Sequence, residues 1–125
     1  MPYIAANIEH RSSKSLVGTG QCVALVQAWA GAPSTGIWQQ GIKVKGNDAL
    51  IAKGTAIATF FDGHYPSNPS GNHAALYLGQ TEHGIRVIDQ WTNSRGAHPP
   101  QERVIGFHGG HGSASDDGDM FYVIE

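Results

Sequence analysis

GNHAALYLGQTEHGIRVIDQW, residues 71–91, holds two apolar runs on either side of a polar turn. HAALYLG (73–79) and IRVIDQW (85–91) each have strand length, and Thr81 to Gly84 supply the turn. The stretch reads as an antiparallel hairpin. His73 opens its first strand directly after the Gly71-Asn72 turn. Asp89 and Gln90 are the polar residues in an otherwise apolar second strand.

Outward from the hairpin, three more strands are expected. TAIATFF (55–61) precedes it, across a loop at 62–72 rich in turn residues. VIGFH (104–108) follows a loop at 92–103 that contains Pro99-Pro100, and MFYVIE (120–125) follows a glycine-rich acidic loop at 109–119. Residues 1–17 read as short apolar and polar runs leading to a loop, and 34–54 as irregular chain with short helical turns. Between these lies GTGQCVALVQAW, residues 18–29, where Cys22, Leu25, Val26 and Trp29 stand at i, i+3, i+4 and i+7, one face of a helix. That helix is expected over about 20–30, capped by Thr19 or Gly20 and ended by Gly31, Ala32 and Pro33. A helix followed by about five short strands indicates an α+β fold with an antiparallel sheet. With 125 residues and no linker or internal repeat, residues 1–125 are expected to form one domain.

Eight Lys and Arg against ten Asp and Glu give a formal net charge of −2. The basic residues are scattered and form no stripe, which argues against nucleic acid as a partner. No apolar run approaches a membrane span, so no membrane partner is expected. The start, MPYIAANIEHRSSK, lacks the apolar core of a secretory signal. The chain is therefore expected to be made in the cytoplasm and carried elsewhere, if at all, by other means.

Cys22 is the single cysteine, so no intrachain disulfide can form. Alone, a cysteine on an apolar helix face is more often a small buried hydrophobe than a nucleophile. Its place in the first helical turn changes the chemistry, because unpaired N–H groups and the positive end of the helix dipole favour a thiolate. A nucleophilic cysteine needs a base, and the base needs an orienting partner. His73 at a strand mouth can supply the first. Asp89 or Gln90 can supply the second, with Asn93 a third candidate. Side chains alternate along a strand, so an even-numbered loop puts Gln90 on the His73 side, and an odd-numbered loop or a bulge puts Asp89 there. A carboxylate stabilises an imidazolium more than an amide does, which favours Asp89.

Gly20-Gln21-Cys22 opening a helix resembles the cysteine motif of CHAP-type amidases, and residues 71–79, GNHAALYLG, resemble the histidine motif of CHAP and NlpC-type cell-wall peptidases. Lys53-Gly54-Thr55 stands where those proteins usually have Pro-Gly-Asp. The order Cys, His, polar residue is similar to the papain-like arrangement. The resemblance covers roughly residues 18–91. It implies a papain-like cysteine amidase that needs no cofactor and hydrolyses peptide bonds of peptidoglycan, with Cys22 as nucleophile, His73 as general base and Asp89 orienting it. The oxyanion would be held by the Cys22 N–H, aided by the Gln21 side chain. The chain also resembles the amidase effectors that type VI secretion systems inject into the periplasm of a rival bacterium. That implies secretion and a cognate immunity protein as partner.

Other readings compete. His64, His98, His108 and His111, with Asp116, Asp117 and Asp119, suggest a metal site, although no standard zinc spacing fits. Trp38, Trp91 and Tyr65 suggest a non-catalytic module that binds cell-wall glycans. A thiol acyltransferase would share the nucleophile.

Overall fold

In a computed structural model that describes residues 1–9, 11–66 and 68–125, the cysteine helix is α1, Cys22–Ala30. Positions 10 and 67, within the expected 1–17 and 62–72 segments, lie outside the described residues. The helix start departs from expectation: Gln21, extended at φ −79° and ψ 156°, is the N-cap, and no side chain caps it. The Thr19 hydroxyl accepts instead from the Gln21 N–H (3.4 Å), too early in the chain to reach the first turn. The end follows expectation. Gly31 takes the left-handed conformation at φ 73° and its N–H donates to the Gln27 carbonyl (3.1 Å). Leu25 and Val26 are fully buried, and each such burial contributes about 1.5–3 kcal/mol. Cys22 and Trp29, at the ends of the stripe, are half-buried.

Among the described residues the sheet has six strands: β1 (Gln40–Lys43), β2 (Ala56–Thr59), β3 (Ala74–Gln80), β4 (Gly84–Asn93), β5 (Gly96–Gly106) and β6 (Phe121–Ile124). Their order is β1-β6-β2-β3-β4-β5, with every pairing antiparallel. The expected α+β class holds, with two corrections. β1 forms inside the stretch read as irregular. It is short and mostly exposed, so it has no apolar period, and its place comes from pairing with β6 some eighty residues away. β5 runs through Pro99-Pro100, read as loop, and the expected 104–108 strand is its far end. β5 is an edge strand, so its prolines remove no ladder bond on the open side. A bulge between Asp89 and Trp91 adjusts the pairing beside them.

Apolar side chains fill both faces of the sheet. Leu25 and Val26 of α1 pack over Ala56, Ala58, Ala74, Leu76, Leu78 and Ile88; the small alanines let the helix come close. Ile57, Ala75, Tyr77, Ile85, Val87, Ile105 and Phe121 cover the other face. One irregularity matters for chemistry. Along β3–β4, Gln80 pairs with Ile85 and Gly79 with Arg86, but Tyr77 pairs with Val87 and Leu76 with Ile88. The extra residue at this bulge shifts the register by one between the turn and the strand mouth.

Candidate active site

Cys22 is the first residue of α1. The chain reaches it through Gly20 at φ 87°, where a Cβ would stand 3.0 Å from Leu16 Cδ1 and 3.1 Å from Thr92 Cγ2. Glycine therefore lets this segment lie against β4. Gln90 ties it there. Its side chain accepts from the Val17 N–H (2.8 Å) and donates to the carbonyls of Val17 (2.9 Å) and Gln21 (2.8 Å). Gln90 thus holds the helix entrance and does not meet His73. Gln21 is exposed at the N-cap.

His73 is 6 % exposed. Its backbone is pinned by Thr59, whose hydroxyl accepts from the His73 N–H (3.0 Å) and whose own N–H donates to the His73 carbonyl (3.0 Å). The ring meets Asp89, with Nε2 and Oδ2 2.7 Å apart. This is the bulge's consequence: with the shifted register, residues 73, 75 and 77 share a face with 87, 89 and 91. Nδ1 is then the ring nitrogen left for Cys22.

Residues that sequence reasoning did not assign to the site complete it. Arg103 Nε donates to Asp89 Oδ2 (2.8 Å). His98 Nε2 stands 3.4 Å from Asp89 Oδ1, an ion-pair distance without hydrogen-bond geometry. The His98 ring stacks on Trp91 at 3.9 Å and 3°. The Tyr65 hydroxyl lies 3.7 Å from Cys22 Sγ and accepts from Asn72 Nδ2 (3.1 Å). Tyr65 is buried against Trp38, whose indole N–H donates to the Pro33 carbonyl (2.8 Å). These two rings are therefore core rather than an open glycan platform. A groove of about 370 Å³ runs past the histidine, lined by Asn72, His73, Trp91, Asn93, Arg103 and Asp116 among others.

Two of the three acids in the competing metal reading have other work. Asp117 accepts from the N–H groups of His108, Gly110 and Asp119, and Asp119 accepts from the Gly109 N–H and pairs with Lys45 at 3.0 Å. They shape the glycine-rich loop. The Gly109 N–H hydrogen bond foremost, then the hydrogen bond and charge of Lys45, hold the Asp119 carboxyl below its ordinary range against the effect of burial.

The electrostatics around Cys22 and His73 favour an ion pair. Burial pushes the Cys22 thiol up, but the hydrogen bond and charge of His73, the Ala74 N–H and the Tyr65 hydroxyl outweigh it, and the thiol ends below its ordinary value. Burial opposes the His73 imidazolium, but hydrogen bonds to Asp89 and Cys22 and their charges raise it to about 9. For Asp89, burial is outweighed by His73 and Arg103, which hold the carboxyl below the usual range. Burial, followed by the charge of Cys22, keeps the Tyr65 hydroxyl protonated well above the usual phenol range. A thiolate, an imidazolium and a carboxylate in line can perform acyl transfer.

The family model described as "Domesticated amidase effector 2" matches residues 3–124. The chain belongs to that family. A type VI secretion amidase effector 2 protein of Salmonella typhi is 42% identical over 136 residues, which span 100% of both chains. A domesticated amidase effector 2 of Ixodes scapularis is 41% identical over 108 residues, covering 84% of this chain and 70% of the other. A solved structure of type 6 secretion amidase effector 2 matches with a TM-score of 0.86 and 36% identity, covering 98% of this chain and 94% of that one. The amidase effector expected from the sequence is thereby borne out, as is its fold class, and the chain is an enzyme of the amidase class.

Proposed function

We propose that residues 1–125 act as one cysteine amidase domain that hydrolyses peptide bonds of bacterial peptidoglycan, after export, in the periplasm of a target bacterium. The observation that carries the catalytic part is the 2.7 Å contact between buried His73 and Asp89 beside a thiol at a helix start. Cys22 attacks the amide carbonyl as a thiolate. The Cys22 N–H, aided by Gln21, holds the tetrahedral oxyanion. His73 Nδ1, having taken the thiol proton, gives it to the leaving amine, and water then hydrolyses the acyl-enzyme. Asp89 fixes the tautomer and orientation of His73. As in the effectors that the sequence resembles, the expected partner is a cognate immunity protein that plugs the groove.

Incubating wild type and Cys22→Ala with peptidoglycan sacculi, then separating the muropeptides with mass detection, tests this. New fragments are expected from wild type, and a rate lower by at least about 10⁴-fold from the variant. Fragment masses name the bond and distinguish hydrolysis from acyl transfer. Identical profiles from folded, reduced proteins would overturn the reading.

A further inference from the structure

Asp89 Oδ2 receives two donors, His73 Nε2 at 2.7 Å and Arg103 Nε at 2.8 Å. The carboxylate is fully buried, and its Oδ1 has no hydrogen-bond partner among the described residues. A buried carboxylate so placed is costly unless a cation is fixed beside it. Arg103 is fixed: its guanidinium lies over the Trp91 ring at 4.8 Å, the ring on which His98 also stacks. We propose that Arg103 is a positioning residue, whose guanidinium holds Asp89 ionised and aligned with the His73 ring while drawing off part of its charge. The proposal rests on the roles given above to Cys22, His73 and Asp89.

The chemistry requires a balance. An unshared Asp89 would stabilise the imidazolium further, and a more strongly held proton is a poorer one to give to a leaving amine. Arg103 shares the oxygen and moderates that pull. A planar guanidinium can bond to the carboxylate through Nε while lying flat on an indole; a lysine ammonium has no such in-plane geometry. Among the described residues, the charged and titratable groups that act on His73 are Cys22 from α1 and Asp89 from β4, and Tyr65, from the loop after β2, lies beside Cys22. Arg103 and His98 of β5 lie behind Asp89, and Asp116 lines the same groove.

The test compares wild type, Arg103→Met and Arg103→Lys by NMR titration of the His73 ring and by kcat and KM on sacculus-derived muropeptides. The imidazolium itself still keeps Asp89 ionised, so removing Arg103 takes a competing cation from Oδ2 while loosening the alignment of the carboxylate. Arg103→Met is therefore expected to move the His73 midpoint upward from about 9 by about half a pH unit or more. Its kcat should fall by up to about 10²-fold with KM little changed. Arg103→Lys is expected to return the midpoint towards wild type but only part of kcat. An unchanged midpoint and kcat in folded Arg103→Met overturns the proposal, as does a rise in KM alone, which would make Arg103 a substrate contact. If Arg103→Met does not fold, Arg103→Lys decides, because wild-type kcat there removes the orienting role. The titration needs no substrate, so a protein that leaves peptidoglycan intact would refute the substrate reading separately.

Discussion

Asp89 and Gln90 are consecutive, both fully buried, and they serve opposite faces of β4. On the α1 face Gln90 makes three hydrogen bonds to the backbone of residues 17–21. On the other face Asp89 meets His73 and Arg103. One strand therefore anchors the cysteine helix through a neutral amide and the histidine through a carboxylate. The amide does not titrate, so the helix entrance is held at every working pH. The carboxylate side is charged, and its strength follows pH. Position and ionisation are thus handled by adjacent residues that do not share a partner.

Breaking the charged side should have the larger effect on rate. Asp89→Asn is expected to lower kcat by roughly 10²–10⁴-fold, because an amide can hold the wrong tautomer and leaves the imidazolium uncompensated; steady-state kinetics on muropeptides measures it. Breaking the neutral side should act on stability instead. Gln90→Leu leaves the Val17 N–H unpaired and takes one of two donors from the Val17 and Gln21 carbonyls, which keep the Gly20 and Ala24 N–H groups, and is expected to cost about 1–3 kcal/mol in urea unfolding. Its folded fraction should lose less activity than Asp89→Asn.

The pH dependence sharpens the contrast. His73 rises from 6.5 to about 9 on folding, so its stabilisation is complete below 6.5 and declines as pH climbs towards 9. Asp89 falls below 3.8, so its stabilisation is complete above 3.8 and is lost as pH drops through the folded value. Urea midpoints should peak between these limits, and Gln90→Leu should lower the whole curve without changing its shape. The profile of kcat/KM should fall on its alkaline side near pH 9 as the imidazolium loses its proton. The smallest effect is expected from Tyr65→Phe, which removes one hydroxyl from beside the thiol and should slow the wild-type rate by less than about 10-fold.

Local physics made much of this legible. The spacing of Cys22, Leu25, Val26 and Trp29 marks a helix face whatever lies beneath it, and Gly31 stops the helix by its backbone freedom. His73 after a turn, at the head of an apolar run, marks a strand mouth. Arg103 carried no such signal: it lies in a stretch that reads as loop, and its meaning depends on Asp89 fourteen residues earlier. Tyr65, held by Asn72, likewise becomes a neighbour of the thiol through the fold rather than through spacing.

By itself, the sequence determined the cysteine helix, the central hairpin and the short set of polar residues that could meet the histidine, because capping, periodicity and turn chemistry act over a few residues. The tertiary structure alone decided that Asp89, and not Gln90, meets His73. That choice turns on one extra residue in the β3–β4 ladder, between Tyr77 and Gly79, and side chains alternate with a period of two, so a shift of one exchanges the faces. It likewise decided β1 and the full length of β5, whose residues have little strand character of their own and pair because a neighbouring strand offers its open edge.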